Sequence, residues 1–400
     1  MENIKRETCR LCGSNRLKEV ISIGNQYIND FPPSLSAKGR NGMCPLDIIL
    51  CEECSLYQLR HTAPQELLYA RHYWYKSGIN ETIVNDLKNI SEIGSSIVNL
   101  TSDDVFLDIG ANDGMLLKNL KGKAVTVGCE PATNLLEELK GNCDYVINDF
   151  WSYERYKKLN LKKAKVITAI GMFYDMENPN QFIRDATDAL DIDGVFIAQL
   201  MTLKPMLQKN DLGNICHEHL EYYTYKSLKY LFENNGLEIY KIEENDINAG
   251  SYRIFARHYK TGSIDWIENI SIEDLYAFKE RLNKNKELCV DYIKNAVKEG
   301  KKVYAYGAST KGNAILQFYE LDNRLITAAA DKNSAKWGAY TLTDIPIVSE
   351  DEARGKADIF LILPVGFVNE FVKRETDWLD NGGKFIVPLP EFRIIEHKKV

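Results

Sequence analysis

Two Cys-x-x-Cys pairs, CRLC (Cys9–Cys12) and CEEC (Cys51–Cys54), lie near the start of this 400-residue chain, and with Cys44 they account for five of its nine cysteines. Four thiolates arranged in two such knuckles complete a tetrahedral Zn²⁺ shell with no place left for substrate, so Cys9, Cys12, Cys51 and Cys54 predict a structural metal site rather than a catalytic one. The alternative is a set of buried, reduced cysteines. Cys44, beside Pro45, lies outside both knuckles. Farther along, CHEHLEYYTY (Cys216–Tyr225) carries two of only six histidines, a carboxylate between them and three tyrosines. An imidazole is suited to general-base work near neutral pH. A metal reading is weaker: on a strand His217 and His219 would share one face with Glu218 pointing away, and no HExxH pattern or third histidine lies near. Histidines hydrogen-bonded within a loop are the structural alternative.

VFLDIGANDGMLLKNL reads as a strand ending in Asp108, a tight turn from Gly110 to Gly114, and a helix. The glycines let backbone approach a ligand, and the helix start favours polar or anionic groups. The dinucleotide pattern G-x-G-x-x-G is absent; the acidic residue followed by G-x-x-x-G is similar to motif I of class I S-adenosylmethionine (SAM) methyltransferases. Glu130 ends the next strand, where a carboxylate can accept both ribose hydroxyls. Asp149 and Phe150 end the third strand, positions suited to the adenine amine and ring face. Helix-capping or turn roles are the alternative for each of these residues. Near the other end, YGASTKGNA (Tyr306–Ala314) also joins a strand to a helix. It is not a Walker A loop, but its amides with Ser309, Lys311 and Asn313 are able to hold a diphosphate. Asp331, after the following strand, suits a ribose acid or a solvated turn, and Asn248 and Arg253 of NAGSYR suit an acceptor cleft or strand-edge support.

These motifs need α/β scaffolds. From about Pro64 the pattern reads as helical up to residue 100, and then strands and helices alternate in the manner of a doubly wound parallel sheet, with two further strands near NAGSYR expected to pair antiparallel. After a long charged helix a second, smaller alternation begins. The expected organisation is a zinc-binding domain at 1–65, a Rossmann-like methyltransferase domain at 66–270 and a smaller Rossmann-like α/β domain at 271–400. A net charge of −7, from 50 Lys and Arg against 57 Asp and Glu, argues against nucleic acid as a partner. No apolar run approaches the roughly 20 residues of a membrane span. The opening MENIKRETCR lacks a secretion signal's apolar region, so a cytoplasmic protein with no membrane contact is expected. A monomer or weak homodimer is expected.

Taken together, the paired knuckles, YWYKSG (Tyr73–Gly78), LDIGANDG, AIGMFYDMENP, HEH with its tyrosines, NAGSYR and YGASTKGN resemble the three-domain zinc-containing sugar C-methyltransferases of deoxysugar biosynthesis, over nearly the full chain. The resemblance implies an acceptor that is a nucleotide-linked 4-keto-deoxysugar, methylated at C-3, with its nucleotide end around the last domain. It implies His219 as the base, Glu218 as a supporting carboxylate and Tyr73 or Tyr75 as the phenol near the keto oxygen. Cofactor contacts would include Asp108, Gly110, Asn112, Gly114, Glu130, Asp149 and Phe150, with Ala169 and Met172 of AIGMFYDMENP. One position departs from the family: Cys216 stands where Tyr commonly precedes HEH, which puts the usual acceptor in doubt. An O- or N-methyltransferase for a related polar acceptor is the competing enzyme reading, and a non-catalytic zinc and Rossmann binding protein is the competing reading of another class.

Overall fold

The computed structural model describes residues 3–70 and 73–397. The chain forms two compact units, neither of them a single stretch of sequence: the first comprises residues 1–18, 49–203 and 220–269, and the second 19–48, 204–219 and 270–400. The segment between the cysteine knuckles therefore belongs to the second unit. Its strands Leu17–Tyr27 and Met43–Cys51 are neighbours in one sheet, and both continue along the chain into the first unit.

The first unit is built on a seven-stranded sheet in the order Leu237–Asn245, Ser251–His258, Leu190–Met201, Ala164–Ile170, Val105–Ile109, Val125–Cys129, Tyr145–Ile147. Ser251–His258 runs antiparallel to both neighbours, and the other registers from Leu190–Met201 onward are parallel. The alternation read from the sequence is thus present, as is the antiparallel pair around NAGSYR. The chain enters mid-sheet at Val105–Ile109, builds outward through Val125–Cys129 and Tyr145–Ile147, and then returns to the other side at Ala164–Ile170. That reversal places a topological switch point at the carboxyl ends of Val105–Ile109 and Ala164–Ile170, where open α/β sheets bind ligands. All five residues of Val105–Ile109 are buried, as a strand covered by helices on both faces requires.

The helix expected from Pro64 starts later. Glu66–Ala70 makes one short turn, residues 71 and 72 lie outside the described residues, and the regular helix spans Glu81–Val98. Asn80 Oδ1 accepts from the Ile83 amide at 3.2 Å, capping its first turn. The apolar stripe Ile83, Leu87, Ile90 faces the sheet, and Gly94 lets the helix approach until a Cβ there would meet Val166 at 3.1 Å. Polar groups fix the same helix to the same face. Arg253 Nη2 pairs with Asp86 at 2.7 Å, its Nε donates to Gln199 Oε1 at 2.9 Å and its Nη1 to Asn89 Oδ1 at 2.9 Å. Gln199 Nε2 closes the ring on Asp86 at 2.6 Å. Arg253 is therefore committed to joining helix and sheet, the strand-support role, because its donors are spent within the layer.

The second unit carries a six-stranded sheet in the order Ile347–Ser349, Ala329–Asp331, Val303–Tyr306, Ile359–Ile362, Lys384–Val387, Arg393–Glu396, parallel except for the last strand. The long helix Ile272–Lys298 holds the 204–219 segment: Arg281 donates to Asn210 Oδ1 at 2.7 Å and to the Leu207 carbonyl at 2.9 Å. Among the described residues no helix is long and apolar enough to cross a membrane.

Removing the guanidinium with Arg253→Met leaves the Asp86 carboxylate buried without its counter-charge. A loss of about 3 kcal/mol is expected for breaking such a pair. Urea unfolding followed by tryptophan fluorescence checks it; an unchanged midpoint would mean the ring does not hold the helix.

Candidate functional site

In the first unit the two knuckles converge. Cys9 Sγ lies 3.6 Å from Cys54 Sγ and Cys12 Sγ 3.4 Å from Cys51 Sγ, and all four sulfurs fall within 4.8 Å of one another. Thiolates at about 2.3 Å from a tetrahedral zinc stand about 3.8 Å apart, so the set fits the ion. Gln58 Nε2 and the Leu11 amide donate to Cys9 Sγ at 3.2 and 3.4 Å. The hydrogen bond from Cys54 lowers the Cys9 thiol, and the same bond raises Cys54. Cys44 is buried in the other unit and takes no part.

The Gly110–Gly114 loop closes the switch point. Gly110 has φ of 74°, and a Cβ there would stand 2.6 Å from Met172 Cγ, so only glycine fits. Glu130 accepts from the amides of Asn112 and Ala132, both at 2.9 Å. Each carboxylate oxygen keeps a second lone pair for a hydroxyl. Asp108 is buried with Oδ1 accepting from Thr168 Oγ1 at 2.6 Å; burial, reinforced by Glu130, pushes it up to about 7. Phe150 exposes its ring, whereas Asp149 is paired with Arg155 at 2.8 Å. Asn112 and Asp113 turn toward the segment that precedes the first helix. Asn112 Oδ1 accepts from the Ser77 amide at 3.0 Å, its Nδ2 donates to the Tyr75 carbonyl at 3.1 Å, and Asp113 Oδ2 accepts from the Gly78 amide at 2.7 Å. Asn134 clasps Tyr73 by accepting from its amide at 2.9 Å and donating to its carbonyl at 3.1 Å. The backbone of Tyr73–Gly78 is thus pinned to the loop, with Tyr73 and Tyr75 in edge contact at 6.5 Å.

The HEH motif lies in the second unit, in a turn and not on a strand, closed by the His219 amide donating to the Cys216 carbonyl at 3.2 Å. The shared-face arrangement expected of a strand is therefore absent. His217 Nε2 donates to the Cys44 carbonyl at 3.0 Å and His219 Nδ1 to the Asn214 carbonyl at 2.9 Å. A carbonyl only accepts, so Nδ1 of His219 carries the proton and Nε2 the basic lone pair. Burial, aided by the Lys311 charge, lowers His219 to about 3, and burial lowers His217 to about 4, so both rings are neutral at physiological pH. Glu218 is buried and accepts from Asn29 Nδ2 at 2.7 Å; burial raises its pKa, while Asn29 and the Cys216 thiol hold it down.

The helix Thr310–Tyr319 begins beside this turn. Lys311 lies 3.7 Å from Asp211. Ser309 caps the helix by accepting from the Gly312 amide at 2.9 Å, and Asn313 donates to Asn29 Oδ1 at 3.0 Å and to the Asp30 carbonyl at 3.1 Å. Ser309 and Asn313 thus build the turn's surroundings. Asp331 accepts from the Asn333 amide at 2.7 Å and from Lys336 at 3.3 Å, a structural turn role.

A zinc binding domain model matches residues 9–69, a methyltransferase domain model residues 87–242, and a C-methyltransferase C-terminal domain model residues 267–390. The C-methyltransferase NovU of Streptomyces niveus is 27% identical over 99% of this chain and 99% of its own length. The chain is a SAM-dependent methyltransferase with a zinc-binding domain, and it is similar along its whole length to a C-methyltransferase. Among solved structures, a methyltransferase from Clostridium acetobutylicum overlaps 44% of this chain and 92% of its own, at 15% identity and a TM-score of 0.35. The mitomycin 7-O-methyltransferase MmcR overlaps 45% of this chain at 12% identity and a TM-score of 0.35, and the chain spans about half of that enzyme's length, 55%.

For this methyltransferase the set around Gly110, Glu130 and Phe150 could hold SAM: a carboxylate able to accept from hydroxyls, an exposed ring face and a turn that begins and ends in glycine. Several residues of these sites carried no signal in the sequence. Asn29 is 189 residues from Glu218, and Asn134 is 61 from Tyr73. Asn214, five residues before His219, belongs to no recognisable spacing. Asn248, with φ of 54°, shapes the turn before Ser251–His258.

Cys54→Ser is expected to strip zinc from the purified protein, read by elemental analysis; full retention would exclude Cys54 as a ligand. His219 titrates at about 3 when folded against 6.5 in its ordinary state. Between those values the unfolded chain binds more protons, so its contribution to stability is complete above 6.5 and lost as pH falls toward 3. Imidazole NMR of the intact protein should show neutral His219 at pH 5.5, and a protonated ring there would overturn the assignment.

Proposed function

We propose that the enzyme methylates carbon next to the ketone of a nucleotide-linked keto-deoxysugar, with His219 as the base. The observation that carries this reading is the tautomer of His219: Nδ1–H donates to the Asn214 carbonyl, which makes Nε2 the proton-accepting atom of the ring. Carbon beside a ketone becomes nucleophilic only when its proton leaves, and a positioned imidazole accelerates such a step by about 10²–10⁴-fold. Glu218, fixed by Asn29, orients the turn and offsets the imidazolium that forms. Tyr73 or Tyr75 donates to the keto oxygen as charge develops on it. When bound, SAM would supply the methyl group to the enolate carbon and leave as S-adenosylhomocysteine, which requires no covalent intermediate on the protein. The proton stays on Nε2 until solvent removes it.

Lys311 meets the acceptor's anionic part. It is the one cation of the three residues read as diphosphate ligands and stands 3.7 Å from Asp211, while Ser309 caps its helix and Asn313 holds Asn29. Support for a carbon acceptor comes from the full-length similarity to a C-methyltransferase and from the C-methyltransferase C-terminal domain.

His219→Ala is expected to lower methyl transfer by at least about 100-fold, the lower end of general-base contributions, with affinity for S-adenosylhomocysteine unchanged. The product's NMR spectrum should show a new methyl on carbon. Turnover that survives in His219→Ala would remove the base, and a methyl on oxygen or nitrogen would replace the carbon reading with its competitor.

A further inference from the structure

The zinc knuckle is fastened to the loop that carries Met172. Arg10 lies between two zinc ligands in sequence, and its side chain is fully buried in the first unit. Its Nε donates to Glu177 Oε2 at 3.1 Å, its Nη2 to Thr62 Oγ1 at 2.6 Å, and its Nη1 to the Leu59 carbonyl and to Gln58 Oε1. Gln58 is the residue whose Nε2 donates to Cys9 Sγ. Thr62 in turn donates to Glu177 Oε2 at 2.6 Å, and Arg6 pairs with Glu177 Oε1 at 2.6 Å. From the other side Asn180 Nδ2 donates to the Leu11 carbonyl at 2.7 Å, so the knuckle backbone is held as well.

Glu177 and Asn180 flank the end of the AIGMFYDMENP segment, and the remainder of that segment has little freedom of its own. The Gly171 amide donates to the Gln199 carbonyl at 2.8 Å, and Tyr174 Oη donates back to the Gly171 carbonyl at 2.8 Å. The Tyr174 carbonyl accepts from the amides of Leu220 and Glu221 at 2.8 and 3.0 Å. Met172 emerges between these anchors and abuts Gly110 so closely that no Cβ fits. One continuous set of bonds therefore runs from Cys9 through Gln58 and Arg10 to Glu177, and then along five residues of backbone to the wall of the Gly110 loop.

We propose that Arg10 and Glu177 are positioning residues that couple the zinc site to the methyl-donor site: zinc holds the Met172 wall in place, and a ligand in the donor site holds the zinc. The wall has a fastened state, with Arg10 on Glu177 and Met172 on Gly110, and a loosened one in which both contacts are lost. Zinc and the donor ligand each bind the fastened state better, so by linkage each strengthens the other. This rests on Met172 lining the donor site. A zinc that only stabilised its own module would show no such reciprocity.

The test uses the zinc-loaded full chain, S-adenosylhomocysteine as the probe and a chelator with a colour readout for zinc release. Saturating S-adenosylhomocysteine is expected to slow release at least about fivefold, the lower end of typical couplings. Glu177→Gln and Asn180→Ala, two independent cuts of the link, are expected to keep zinc as purified, to lose that protection and to bind S-adenosylhomocysteine about fivefold more weakly. Arg16→Ala, which breaks an exposed pair with Glu53 at the same knuckle, should leave both readouts at the wild-type values. Met172→Ala separates the two ideas. Unchanged affinity for S-adenosylhomocysteine in that variant would overturn the donor-wall reading. Weakened affinity there, together with zinc release that the ligand does not slow in the wild type, would overturn the coupling alone.

Discussion

The Glu130 carboxylate, accepting the amides of Asn112 and Ala132, ties two adjacent strand ends together, and most of the first unit's chemistry depends on that knot. It holds the Gly110–Gly114 turn in a shape that has Asn112 at φ of 52°, a left-handed conformation in which asparagine is one of the few tolerated side chains. From that posture Asn112 and Asp113 reach the backbone of Ser77, Tyr75 and Gly78. The same turn brings Gly110 against Met172. A single buried acid therefore organises the ligand-facing loop, the tyrosine segment and the wall beside them.

The second unit solves a different electrostatic problem. It buries two imidazoles and a carboxylate within one turn, each of which would be costly to charge there without compensation. Backbone carbonyls from Cys44 and Asn214 accept from the rings and select their tautomers, and Asn29 donates to one oxygen of the acid. The Lys311 charge lowers both His219 and Glu218. The arrangement keeps both rings neutral beside an acid that accepts from an ordinary hydrogen-bond donor.

Short-range chemistry was legible in the sequence. The knuckles announce their ligand set because thiolate spacing is local, and the strand–turn–helix around Gly110 is visible because glycine and a preceding acid mark it. The β/α alternation follows from local hydropathy. What escaped was decided by distant partners. Residues 73–79 look helical in isolation, yet their amides are claimed by Asn112, Asp113 and Asn134. The loop reading of HEH was open from the sequence, but its partners were not, because the carbonyl that holds His217 belongs to Cys44, 173 positions away. Arg253 stays open between an acceptor cleft and strand-edge support in the sequence because Asp86, 167 positions earlier, gives no hint that it is the partner.

The interleaving of the two units has a consequence for how the chain is made. Residues 19–48 leave the ribosome early, with Ile21, Ile23, Ile28 and Phe31 destined for burial in a unit whose sheet lies between Val303 and Glu396. Their apolar surface has to wait through most of synthesis before its own core exists. The first unit, by contrast, has all its strands once Asn269 has emerged. Nascent chains of this kind expose sticky surface in proportion to that delay. The gap between the two cysteine knuckles is therefore also an interval of vulnerability, written into the order of the sequence and closed only when the last strand arrives.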